Sequence, residues 1–189
     1  GRNVLVTMTS QAIALGKAFG VDSKVISRDV GKALGDVAHF GGATVKQIST
    51  ASVYARKLGL ELDRIVGTLS AFETFDSAAE NAAKLSQSFG VLVDAFSLME
   101  AQSPDEQIDA LRKSFFAADR TTEGMTRQEL KLLSQTTGLD EATARLAFSM
   151  QNQGLSLDML KKKSEQAEKK QLTQAEALAK LSASIERLV

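Results

Sequence analysis

Along most of the chain, apolar residues recur at spacings of three and four, the period of an amphipathic α-helix. The alternation of Val, Ile and Thr that would signal strands is scarce. Ile65, Leu69, Phe72 and Phe75 follow the helical spacing, as do Ile108, Leu111, Phe115 and Leu146. The helix stops are signed by "FGV", "LGL", "FGV" and "TGL" at Gly20, Gly59, Gly90 and Gly138. A glycine adopts the left-handed conformation that ends a helix, and the apolar residue after it packs back onto that helix. The starts are signed by capping boxes, in which a Ser or Thr and a Glu three residues later satisfy each other's backbone N–H groups. "SPDE" (103–106), "TRQE" (126–129), "TQAE" (173–176) and "SAAE" (77–80) fit this form. Together these signals predict an all-α fold of about nine or ten helices, paired as hairpins by Gly-hydrophobic turns. The glycines are unevenly spaced, so the pattern is not that of a solenoid.

Two joints and a change of texture divide the chain. "HFGGATV" (39–45) breaks a helix at Gly41 and Gly42 and offers Thr44 as the next cap. "ADRTTEGMT" (118–126) is a polar connector. After Gly154 there is no further Gly or Pro, and "KKKSEQAEKKQ" is strongly charged. The expected organisation is an N-terminal helical hairpin over 1–40, a multi-helix domain over 41–153 and one long helix over 154–189.

That last helix carries a heptad seam, which points to coiled-coil pairing. With Leu157 and Leu160 as its first a and d positions, the seam continues through Ser164, Ala167, Gln171 and Gln174 to Leu178, Leu181, Ile185 and Leu188. Leu157, Leu160, Leu178, Leu181, Ile185 and Leu188 are the residues expected to mediate self-association. Lys161–Glu165, Glu165–Lys169 and Glu176–Lys180 stand at i, i+4 on its flanks, where opposite charges support a helix. The alternative is a helix folded back on its own domain.

"KAFGVDSKVISRDVGKAL" (17–34) has the grammar of a DNA-reading helix-turn-helix, with Asp22 as cap and Lys24 and Arg28 on the second helix. Charge argues against that reading. The chain's 189 residues hold 23 Lys plus Arg and 23 Asp plus Glu, so no surplus exists to replace counterions on phosphate. Asp22 and Asp29 offset Lys24 and Arg28 locally. The equivalent helices after the second and fourth turns open with Glu61 and Asp63, and with Asp140 and Glu141. A structural hairpin, with no sequence-specific nucleic-acid binding, is the expectation.

Candidate chemistry is sparse. There is no Cys and one His, His39, so neither a thiolate zinc site nor a two-His site can be built within one chain. His39, beside two glycines, reads as a hinge or packing residue. "GKAFG" and "GKALGD" lack the upstream glycine and the strand of a phosphate loop. No enzyme, cofactor or metal is expected. No apolar run approaches the ~20 residues that span a bilayer. The start, "GRNVLVTMTS", has neither an initiator Met nor a signal-peptide layout, and reads as part of a longer chain.

The runs "FETFDSAAENAAKLSQSFGV" (72–91), "SPDEQIDALRKSFFAADRT" (103–121) and "MTRQELKLLSQTTGLDEATARLAFSM" (125–150) together resemble the helical region of tail tape-measure proteins of contractile-tailed bacteriophages. The resemblance covers about residues 65–150 and rests on helix punctuation and small-residue patterning. It implies a long helical virion protein, made in the host cytoplasm and housed in the tail tube lumen. Such a protein sets tail length and leaves ahead of the DNA at ejection. The resemblance also implies a trimer touching tail tube, baseplate hub or spike proteins, and no catalytic residue. A helical adaptor or assembly chaperone, and a helix-turn-helix regulator, are the alternatives.

Overall fold

Each of the four Gly-hydrophobic turns holds its glycine at positive φ, between 66° and 85°. At the first, the N–H of Val21 reaches back to the carbonyl of Gly16 at 3.1 Å, the long closing bond of a Schellman turn. A further turn of this kind is built without glycine. Asp119 sits at φ 54°, and Arg120 N–H donates to the Phe115 carbonyl at 2.9 Å. The sequence carries no Gly there to announce it, so the stretch reads only as a polar connector.

The computed structural model describes residues 2–188. Among them it contains eleven α-helices and no strand. They are α1 (Arg2–Phe19), α2 (Ser23–Gly35), α3 (Val37–Phe40), α4 (Val45–Lys57), α5 (Gly67–Ala71), α6 (Phe75–Phe89), α7 (Ala95–Glu100), α8 (Pro104–Ala117), α9 (Arg127–Thr137), α10 (Glu141–Ala147) and α11 (Leu157–Leu188). Short 3-10 turns lie at Leu62–Arg64, Thr122–Gly124 and Met150–Asn152.

The capping signals hold in part. Thr44 with Gln47, and Thr126 with Glu129, form reciprocal boxes at the starts of α4 and α9. "SAAE" is out of register: Ser77 is already the third residue of α6, and its box partner is Thr74. At "SPDE" Pro104 opens α8 as expected, but the Ser103 side chain makes no cap bond. Glu106 instead accepts from the N–H of Gln102 at 3.0 Å, one residue further out. "TQAE" lies inside α11, where the Thr173 hydroxyl donates to the Lys169 carbonyl at 2.9 Å. A Thr in an uninterrupted helix has no free N–H to cap, so it bonds back along the helix instead.

The apolar spacing over Ile65–Phe75 is not one helix. Ile65 closes a 3-10 turn, Phe72 ends α5, and Phe75 starts α6 after the Thr74 cap. Gly67 at the start of α5 meets Gly138 at the end of α9 backbone to backbone, so close that a Cβ on Gly67 would lie 2.1 Å from the Gly138 carbonyl oxygen.

Two helices form the centre. Every residue of α4 from Ile48 to Ala55 is buried, because α1, α2, α8 and α11 pack around it. On α8, Ile108, Leu111 and Phe115 are fully buried, and the Phe115 ring stacks against Phe89 (5.3 Å) and Phe148 (4.8 Å). The hydrophobic core runs unbroken from Ala12 to Leu160, across both boundaries expected at 40/41 and 153/154. The first hairpin therefore shares its core with α4.

Candidate functional site

Helix α11 has two unlike halves. Leu157 and Leu160, expected in the self-association seam, belong to the chain's own core at 3 % and 1 % exposure. The seam positions Ser164 and Ala167 follow them inward, buried and half-buried. This half lies along α1, α4 and α8, so its stripe already has a partner within the chain. Ion pairs reinforce the docking: Lys113–Asp158 at 3.0 Å, Lys161–Glu106 at 3.7 Å and Lys46–Glu168 at 3.0 Å. Among the described residues none of the expected i, i+4 pairs on α11 closes within 4.0 Å, and Lys161 turns to α8.

Beyond Glu168 the helix leaves the core. Every described side chain from 172 to 188 is exposed; that of Gln171, a seam position, lies outside the described residues. Leu178, Leu181, Ile185 and Leu188 are 67 %, 59 %, 55 % and 88 % exposed. The undocked length, about 20 residues, spans roughly 30 Å. Among the described residues, the four apolar seam residues from Leu178 to Leu188 have no other part of the chain packed over them.

A buried cation fixes where α11 starts. Arg112 on α8 is 1 % exposed. Its guanidinium donates to the carbonyls of Ala147 (2.7 Å) at the end of α10, and of Leu155 (3.0 Å) and Asn152 in the α10–α11 connection. It also donates to the Tyr54 hydroxyl on α4 at 2.7 Å, and lies 5.1 Å from the centre of the Phe116 ring. Tyr54 donates in turn to Asp109 Oδ1 (3.2 Å), which also accepts from the N–H of Leu157 (3.0 Å). Burial pushes the Tyr54 phenol far above its usual range, so it stays a neutral hydroxyl in this chain. The planar five-donor fork of arginine suits it to gather several carbonyls at once. No motif in the sequence points to this network: Arg112 lies inside a helix, where neither spacing nor punctuation singles it out.

The first hairpin is equally instructive. Asp29 faces inward at 4 % exposure. It accepts from Arg56 Nε (3.0 Å) and Nη2 (2.8 Å) and from the Ser52 hydroxyl (2.6 Å), which ties α2 to α4. It therefore does not offset Arg28 on the surface, contrary to the sequence expectation. Lys24, Arg28 and Lys32 form an exposed stripe at i, i+4, i+8 on α2. Asp22 caps α2 as expected, accepting from Lys24 N–H at 2.9 Å. His39 pairs its Nδ1 with Asp36 Oδ2 at 2.7 Å, and Asp36 caps α3.

Two clefts border the docked half of α11, each of about 520 Å³. One lies between the α3–α4 loop, the start of α8 and α11, and includes His39, Lys46, Asp105 and Lys161. Asp105 is 4 % exposed and its Oδ1 has no hydrogen-bond partner. Burial pushes its carboxyl up to about 6. The other runs along α7, α8 and α11, and carries Asp94, Glu100, Glu106, Asp109 and Asp158 against Lys113 and Lys161. Among the described residues, no group of three or more His, Asp or Glu is placed to hold a metal ion, and no helix is long and apolar enough to cross a membrane.

The chain matches no protein-family model, and neither a curated protein nor a solved structure is similar to it.

Proposed function

We propose that the chain is a structural, non-enzymatic segment of a virion protein of the tail tape-measure class. In this reading it works in several copies inside the tube of a contractile phage tail, setting tail length and leaving ahead of the DNA. One observation carries the reading: α11 is anchored by Leu157 and Leu160 and then projects an unpartnered stripe of Leu178, Leu181, Ile185 and Leu188. A head bearing such a helix is suited to joining copies of itself along an axis. The proposed association is a trimer through the distal half of α11. The number three comes from the tape-measure resemblance, because the heptads alone do not distinguish two strands from three. Tail tube, baseplate hub or spike proteins are the proposed further partners. Mass spectrometry of purified virions tests the assignment: the chain's peptides are expected in intact tails, and their absence from tails would overturn it.

A second reading has one observation in its favour. With Asp29 turned inward, the Lys24, Arg28 and Lys32 stripe gives α2 a basic face suited to a phosphate backbone. The expectation remains that the hairpin does not bind DNA, since three phosphate contacts supply little affinity at physiological salt. Submicromolar retention of a duplex at ~150 mM salt, weakening steeply as salt rises, would favour the regulator.

A further inference from the structure

The face of the head built by α7 and the start of α6 presents large apolar side chains to solvent. Phe75 is 51 % exposed, Phe96 is 64 % exposed, and their ring centres lie 5.6 Å apart. Met99, 38 % exposed, follows Phe96 by one helical turn. Leu92, in the loop before α7, is 92 % exposed and lines the neighbouring groove. Single exposed apolar residues need no explanation, but a pair of touching aromatics extended by a Met marks a contact surface.

The charges around this face are predominantly acidic. Residues 73–100 carry Glu73, Asp76, Glu80, Asp94 and Glu100 against a single base, Lys84. Lys84 is committed to Glu80 at 2.7 Å. Among the described residues, Glu73, Asp76, Asp94 and Glu100 have no basic side chain within ion-pair distance. In the groove beside α7, by contrast, Glu106, Asp109 and Asp158 are paired with Lys161, Lys113 and Arg112, so the unpaired rim is the one formed by Glu73, Asp76, Asp94 and Glu100.

We propose that this aromatic, acid-rimmed face is a docking site for a cationic amphipathic helix supplied by a different protein. An apolar stripe on the incoming helix covers Phe75, Phe96 and Met99, while its Lys or Arg flanks meet the carboxylate rim. The chain's own distal α11 is a poor match. Over the undocked 169–188 its charges are Lys169, Lys170, Lys180 and Arg187 against Glu176 and Glu186, and beside the apolar stripe from Leu178 to Leu188 only Lys180 and Arg187 against Glu186, a weak complement to the acidic rim. The inference stands on the α7 face alone, independently of the tail assignment and of α11 pairing.

The test uses the full chain and two labelled synthetic helices of about 18 residues, five turns in length. Both place Leu at three-four spacing; one has Lys at the other positions and its twin has Glu. In fluorescence anisotropy at ~50 mM salt, the Lys helix is expected to bind at least tenfold more tightly than the Glu helix, and to weaken as salt rises. Phe75→Ser with Phe96→Ser should reduce that binding at least tenfold without changing the circular dichroism spectrum, since both rings are largely in solvent. Asp76→Asn with Glu100→Gln should weaken binding and flatten its salt dependence while leaving the aromatics in place. Equal binding of the two helices, or undiminished binding by the double Phe variant, overturns the proposal. So does a fall in the sedimentation coefficient of the chain itself on the double Phe substitution, which would make this face a contact between copies.

Discussion

Arg112 Nη1 donates to the Tyr54 hydroxyl at 2.7 Å, joining α8 to α4 in the middle of the core. The same guanidinium holds the last carbonyl of α10 and two carbonyls of the α10–α11 connection. This contact therefore links the central helix pair to the point where α11 departs. Arg112→Met is expected to lower stability by about 3–5 kcal/mol, because the carbonyls and the Tyr54 hydroxyl lose their donor in a dry site. Tyr54→Phe removes an acceptor for Arg112 and a donor to Asp109, and should cost about 1–2 kcal/mol. Urea unfolding of both variants measures the difference, and equal losses would mean that the carbonyls find water.

The two halves of α11 are expected to respond differently to substitution. Leu181→Asp with Ile185→Asp should dissociate the proposed assembly and leave the thermal unfolding of the head unchanged, since both side chains are mostly in solvent. Leu160→Ala should instead destabilise the head by about 2–5 kcal/mol, the cost of emptying a core site. Sedimentation velocity and circular dichroism separate the two effects. A wild-type chain that stays monomeric at high micromolar concentration would end the self-association proposal.

Asp105 gives stability a defined pH dependence. Its carboxyl in the folded chain is raised from 3.8 to about 6, so the folded state favours the protonated form. The stabilisation from that proton is fully present below pH 4 and is lost as pH rises through about 6. Asp105→Asn should therefore stabilise the head at pH 7.5, by an amount on the order of 1–3 kcal/mol, and should change nothing near pH 3.5. Unfolding measured across this range checks the sign; a variant less stable than wild type at pH 7.5 would show that Oδ1 has a charged partner.

Backbone contacts make a separate expectation. Gly67→Ala should destabilise by more than about 2 kcal/mol, because the new methyl would press on the Gly138 carbonyl and force α5 and α9 apart. Asp119→Gly should raise stability by about 0.5–1 kcal/mol, since the residue at φ 54° would lose its steric penalty. Melting temperatures of the two single variants should move in opposite directions.

Much of the helix grammar was legible in the residues themselves. Gly20, Gly59, Gly90 and Gly138 all sit in left-handed turns, and Thr44, Thr126 and Asp22 cap the helices they precede. These are local matters, decided by one residue's φ and by bonds to neighbours three or four positions away. The all-α class follows from them. The misplaced signals are instances of one limit: Ser77 and Thr173 fit the cap pattern, but the chain around them is already helical, and the pattern does not contain that fact.

What the tertiary structure alone decided was which groups face which side. The seam of α11 reads as one stripe from Leu157 to Leu188, yet its first turns are core and its last turns are surface. Asp29 reads as a counter-charge to Lys24 and Arg28 and is an internal partner of Arg56; Arg112, which no motif singles out, organises the core. Phe75 reads as one position of an apolar helical stripe with Ile65, Leu69 and Phe72, and stands half in solvent beside Phe96. Each outcome depends on residues far away along the chain, 58 positions in the case of Arg112 and Tyr54. Periodicity shows that a helix has an apolar face; only the packing of the other helices against it determines how much of that face is covered.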